Sequence, residues 1–168
     1  MDNVNNRVMR YSFNAAFGTV VAGGNGPGIS NTQLFYPMGI HFDAISNSLL
    51  IANYVANNIV RWTLGTLNWQ IVAGNQNGTS GNTSIGLQSP IDVTLDPMGN
   101  SYVLDSDNQR VQLFLAGERD GRTIAGVTGL VGSNATLLNY PSSIALDNQL
   151  HLYVSDSTNH RVQKFMRY

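Results

Sequence analysis

The ten residues DSTNHRVQKF at 156–165 place a carboxylate, an imidazole and a guanidinium within six positions: Asp156, His160 and Arg161. A histidine so placed could serve as a base or hold a metal, with the charged neighbours tuning it. A site of that kind normally occurs once in a domain, yet here the word recurs. DSDNQRVQLF stands at 105–114, DNVNNRVMRY at 2–11, and a looser copy, NYVANNIVRW, at 53–62, read with one extra turn residue. Anchored on valine, the copies fall at Val8, Val60, Val111 and Val162, separations of 52, 51 and 51 residues. A period near fifty marks a repeat architecture such as a propeller or solenoid. At the place of His160 the other copies carry Asn6, Asn58 and Gln109 with no loss of pattern, so the word reads as scaffold. Asp105 and Asp156 are then acceptors of turn N–H groups. Arg7, Arg110 and Arg161 are structural repeat positions whose stems cover apolar surface and whose forks pair with carbonyls or carboxylates.

Two further landmarks keep the period. One is Val21-Ala22-Gly23, Val72-Ala73-Gly74 and Ile124-Ala125-Gly126; the other begins at Pro37, Pro90 and Pro141 and ends on Asp43, Asp96 and Asp147. Between them, runs such as Leu150-His151-Leu152-Tyr153-Val154 alternate and are bounded by turn residues, the mark of short hairpin-connected strands. No segment sustains a helical period for ten residues, because Gly, Asn, Ser and Thr interrupt every candidate. Four short antiparallel strands per fifty residues describe a propeller blade.

The order Pro-x-x-Ile-x-x-Asp, Leu-x-Val-x-Asp, Asp-x-x-Asn-x-Arg-Val-Gln-x-Phe and Val-Ala-Gly resembles the NHL repeat across nearly the whole chain. The resemblance implies an all-β fold: a β-propeller of four-stranded antiparallel blades, about three repeats of a larger ring. The expected division is a partial blade at 1–36, blades at 37–89 and 90–140, and an incomplete blade at 141–168, with 13 strands in all. The second repeat departs most, with Ile59 read at the arginine position and Asn53 at the aspartate. A ring closes with roughly four to eight blades. The chain by itself is therefore expected to associate through its open blade faces or to be partly disordered.

Charge narrows the partners. Nine Lys and Arg against ten Asp and Glu give a net charge of −1, with charged residues only 11% of the chain. The electrostatic attraction that dominates nucleic-acid binding has no source in such a chain, so nucleic acid is not expected. No apolar run approaches a membrane span, and no membrane partner is expected. Cysteine is absent, which removes disulfides and thiolate metal sites from this segment. Three glycosylation sequons begin at Asn77, Asn82 and Asn134, but so many Asn, Ser and Thr residues make about three expected by chance. The compartment stays open.

His41, His151 and His160 fall at three different places in the repeat, whereas a metal site needs ligands that converge. Peptide-amidating lyases resemble this architecture and use metal-bound histidines, which makes a metal-dependent propeller lyase or hydrolase the rival reading. Asp43, Asp96 and Asp147 do occupy equivalent positions, but turn residues follow each, which favours a turn role over calcium. No catalytic, cofactor or metal residue is assigned. The repeats differ most in the links 24–36, 75–89 and 127–140, which by up-and-down counting emerge on one face. Loops on a rigid scaffold are where binding usually resides. Phe35, Tyr36, Leu87, Leu138 and Tyr140 are the candidate partner-binding residues, each with the competing reading that it plugs a joint between blades. The expected function is a non-catalytic recognition or scaffold module for a protein or peptide, with carbohydrate or a small molecule second.

Overall fold

A computed structural model describes residues 1–167, which form an all-β segment of a propeller. Four antiparallel sheets follow one another in chain order. The first pairs β1 (Arg7–Arg10) with β2 (Thr19–Gly23). The second orders β3 (Pro37–Asp43), β4 (Ser48–Asn53), β5 (Asn58–Thr63) and β6 (Trp69–Gly74). The third orders β7 (Pro90–Leu95), β8 (Ser101–Asp105), β9 (Arg110–Phe114) and β10 (Gly121–Gly126). The fourth holds β11 (Pro141–Leu146), β12 (Leu152–Asp156) and β13 (Arg161–Phe165). A short 3₁₀ turn, Ser157–Asn159, joins the last two.

The core lies between sheets rather than within them. The middle strands β4 and β8 are buried at every position, because each is covered on both faces by a neighbouring sheet. Val8, Ala22, Leu49, Ile51, Val60, Trp62 and Trp69 fill the first joint. Leu50, Ala52, Ile59, Ala73, Val93, Val103 and Phe114 fill the second. Tyr102, Leu104, Val111, Leu113, Ile144, Leu152 and Val154 fill the third. Each proline-led strand slips register just after its proline, at Pro37/Ile40, Pro90/Asp92 and Pro141/Ser143. Proline cannot donate to the ladder, and a bulge absorbs the missing bond.

The Val-Ala-Gly landmark has a steric cause. Gly23, Gly74 and Gly126 end their strands at φ of 69°, 80° and 78°, and a Cβ on any of them would run into the carbonyl oxygen of Asn6, Asn57 or Gln109.

The register corrects one alignment. Asn53 pairs with Asn58, as Asp105 pairs with Arg110 and Asp156 with Arg161. Asn58, not Ile59, therefore stands at the arginine position, the turn 54–57 has no extra residue, and Asn57 rather than Asn58 matches His160. Ile59 aligns with Val8, Val111 and Val162. Two β-branched residues side by side, Ile59 and Val60, made the hydrophobic anchor ambiguous by one position, a slip that would turn every side chain of the strand to the other face.

Candidate recognition face

The links 24–36, 75–89 and 127–140 and the turns 54–57, 106–109 and 157–160 lie at one end of the strands. Each link closes on itself with the same bond: Gly28 N–H donates to Leu34 O, Gly81 to Leu87 O, and Gly132 to Leu138 O. The leucine that accepts is fully buried in the joint below. Leu87 and Leu138 consequently never reach a partner; they hold the links down, and Leu34 does the same in the first joint. The sequence carried this signal as a leucine two residues before Tyr36, Ser89 and Tyr140, visible once the repeats are aligned from those prolines backward.

Arginine fixes the upper part of two links. Arg110 is 3% exposed and donates Nε to Asp105 Oδ2 at 2.8 Å, Nη1 to Asn82 O and Thr128 Oγ1, and Nη2 to Thr83 O and Gly86 O. Arg161 repeats the arrangement on Asp156 Oδ2 at 2.7 Å and the carbonyls of Ser133, Asn134 and Leu137. Arg7 reaches Asp2 Oδ2 at 2.7 Å. Contrary to the expectation from sequence, Asp105 and Asp156 accept not the backbone N–H groups of their own turns but those of the links, Gln88 and Asn139, each at 2.7 Å. Burial pushes the Asp105 carboxyl above its usual range despite its donors. Burial also opposes ionisation of Asp156, but donors from Asn159, Arg161, Asn139 and Gln163 outweigh it and hold that carboxyl below the usual range. Gln163 Nε2, 3.0 Å from Asp156 Oδ2, is a donor that Asp105 lacks, and the surroundings differ in openness: the Arg161 side chain is 30% exposed, that of Arg110 3%.

The His160 position is an acceptor position in the other repeats. Asn6 Oδ1, Asn57 Oδ1 and Gln109 Oε1 accept the N–H of Tyr36, Ser89 and Tyr140, at 2.8, 2.9 and 2.7 Å. Both partners of each bond have positive φ, between 47° and 57°. Because the strain recurs in every repeat, it belongs to the scaffold. His160 shares the left-handed backbone at φ 53° and is exposed.

The three histidines stay apart. His41 sits on β3, its Nδ1 3.3 Å from Thr94 Oγ1, with burial holding the imidazole below its usual range. His151 Nδ1 lies 3.0 Å from Asp147 Oδ2 in a turn. Among the described residues no three of His, Cys, Asp and Glu group so as to hold a metal. Asp43, Asp96 and Asp147 spend an oxygen each on turn amides: Ile45 and Ser46, Met98 and Asn100, Gln149 and His151.

What remains exposed on the links is apolar, hydroxyl or amide in character, without charge. Tyr36 is 37% exposed and Tyr140 58%, while Phe35 is half-buried. None of the charged residues falls within the three links, and Asp107 is the single Asp, Glu, Lys or Arg in the turns 54–57, 106–109 and 157–160. The opposite end carries Asp43, Asp96, Glu118, Arg119, Asp120 and Asp147. Tyr54, missed from sequence, joins the face: its ring lies 6.1 Å from that of Tyr36 at 58°. All three sequon asparagines, Asn77, Asn82 and Asn134, are exposed on the links. No helix among the described residues is long and apolar enough to cross a membrane.

The NHL-repeat family profile matches residues 138–165, in keeping with the resemblance read from the sequence. No curated protein matches the chain. Among solved structures, an auxiliary nutrient binding protein from Bacteroides thetaiotaomicron is 20% identical, with a TM-score of 0.72 over 95% of this chain and 42% of its own length. A streptogramin B lyase is 12% identical, with a TM-score of 0.68 over 99% of this chain and 47% of its own. A catalytically inactive virginiamycin B lyase from Staphylococcus aureus, with quinupristin, is 15% identical, with a TM-score of 0.63 over 98% and 47%. The chain thus spans less than half the length of these propellers, and the likeness is one of fold.

Proposed function

We propose that this chain is a recognition module without chemistry of its own, which takes a protein or peptide on its link face; carbohydrate or a small molecule is the second class. The observation that carries the reading is the distribution of charge: 24–36, 75–89 and 127–140 contain none, while the turns at the opposite end carry Asp43, Asp96, Glu118, Arg119, Asp120 and Asp147. The length of the links is no support, since Leu34, Leu87, Leu138 and the arginines account for much of it. A reading as part of a metal-dependent lyase or hydrolase leans on fold likeness alone. The test is a selection of binders from a random-peptide display library on the immobilised chain, followed by affinity measurements on Tyr36→Ala and Tyr140→Ala. The expected result is a loss of about tenfold or more in at least one variant, the size of an aromatic anchor, with melting unchanged. Binders indifferent to both variants and mapped to turns 44–47, 96–100 or 147–151 would overturn the proposal.

A further inference from the structure

Aligned by register, the top of the second sheet differs in kind from those of the third and fourth. Where β3–β6 has Phe35 and Tyr36 on the link and Tyr54 and Val55 on the turn, the third has Gln88, Ser89, Ser106 and Asp107, and the fourth has Asn139, Tyr140, Ser157 and Thr158. The two segments are zipped together, Tyr54 N–H to Tyr36 O at 3.3 Å and Val55 N–H to Phe35 O at 3.2 Å, and the rings of Tyr36 and Tyr54 meet across them. Ile29, 45% exposed, extends it: its Cγ2 lies beside Gly78, which sits over Ala56. Val55 is 40% exposed and Tyr36 37%. The patch sits on an internal, four-stranded sheet with sheets on both sides.

We infer that this patch of Ile29, Phe35, Tyr36, Tyr54 and Val55 is the docking site of an uncharged, proline-containing extended peptide, a conclusion that rests on the recognition reading above and names its ligand. Three features select that class. No charged side chain lies in the patch, so an acidic, basic or phosphorylated segment would find no counter-ion. The amides that border it are already engaged: Asn6 bonds Tyr36 N and Val4 O, and Asn57 bonds Ser89 N, Val55 O and Gly78 O. A sugar would find few of these amides free to bond its hydroxyls. Within the patch the polar side-chain atoms are the two phenolic hydroxyls of Tyr36 and Tyr54. A polyproline II segment suits that inventory: its backbone carbonyls point outward with no internal partner, its pyrrolidine rings pack on aromatic faces, and little ordering entropy is lost on binding.

The test uses the full chain, 15N-labelled, titrated with an end-capped decaproline peptide, an end-capped Gly-Ser decapeptide and maltohexaose. The expected result is movement of the amides of residues 29, 35, 36, 54 and 55 with decaproline alone. Tyr54→Ala should weaken binding about tenfold. Tyr36→Phe and Tyr54→Phe, which keep the rings and the fold, should weaken it about two- to fivefold, the share of one hydroxyl. Movement at these amides with maltohexaose and none with decaproline would overturn the ligand class and leave link-face recognition standing. No movement with decaproline up to about 1 mM, the edge of useful affinity, would overturn the inference. In that case the display-selected binders decide the broader proposal by their dependence on Tyr140.

Discussion

Replacing Arg110 by alanine removes five hydrogen bonds at once and strands a carboxylate that is 0% exposed. Breaking one side of a buried ion pair costs about 3–5 kcal/mol, most of it the uncompensated charge left behind. Arg161→Ala breaks four such bonds at a guanidinium that is 30% exposed, where water can replace it, and about 1–3 kcal/mol is the corresponding cost. At roughly 2–4 °C per kcal/mol for a domain of this size, Arg110→Ala should lower Tm by about 6–20 °C. The chain contains its own control, because the second sheet carries Asn53 and Asn58 at these two positions and folds without a charge. The double variant Asp105→Asn/Arg110→Asn should therefore be more stable than Arg110→Ala alone. Urea and thermal unfolding of the three variants provide the comparison. Equal losses for Arg110→Ala and Arg161→Ala, or a double variant less stable than the single, would refute the argument that burial sets the cost.

Gly74→Ala and Gly126→Ala should each cost at least about 1 kcal/mol, since the Cβ meets a backbone carbonyl at positive φ; unchanged denaturant midpoints would remove the steric account. Asp43, held down at a pKa of about 2 first by its bond to Ser46 and then by Arg61, contributes stability that is present above the unfolded value near 3.8 and lost as pH falls toward 2. Acid unfolding of Asp43→Asn should be correspondingly shallower between about pH 4 and 2, and a wild-type acid profile would contradict this. Ile40 and Phe42 are 41% and 52% exposed, whereas Val93 and Ile144, at the repeat position of Ile40, are 2% and 7% exposed. Light scattering of the 168-residue chain should therefore show concentration-dependent association that Phe42→Ser reduces, and a monomer at every concentration would sink that expectation. Replacing 75–89 with a short Gly-Ser link should cost stability as well as binding, because Leu87 leaves the core; an unchanged Tm would show that the leucine is not a plug.

The β architecture was legible because a period of 51 to 53 residues repeats the proline, the aspartate and the Val-Ala-Gly end of each unit. Those residues answer to local rules, a bulge, an Asx turn and a positive φ, which sequence records directly. The phase of the second repeat was not legible from apolar anchors, since Ile59 and Val60 fit either register and the Asp–Arg pair that marks it elsewhere is replaced by Asn53 and Asn58. The link residues were half legible. Tyr36 and Tyr140 lie at the surface, but whether Leu87 and Leu138 point up or down depends on a joint made by two sheets, which no local pattern encodes. Tyr54 was hidden by the misplaced turn residue, and with it the aromatic pair.

Hydrogen–deuterium exchange of the chain with and without a display-selected binder tests the recognition account most directly, because it reports every backbone segment on both ends of the blades together. Protection is expected at 24–36, 54–57, 75–89 and 127–140, little changed between about 50 and 500 mM salt because the three links carry no charge. Protection confined to 44–47, 64–68, 96–100, 115–120 and 147–151, or binding that fades with salt, would contradict the account.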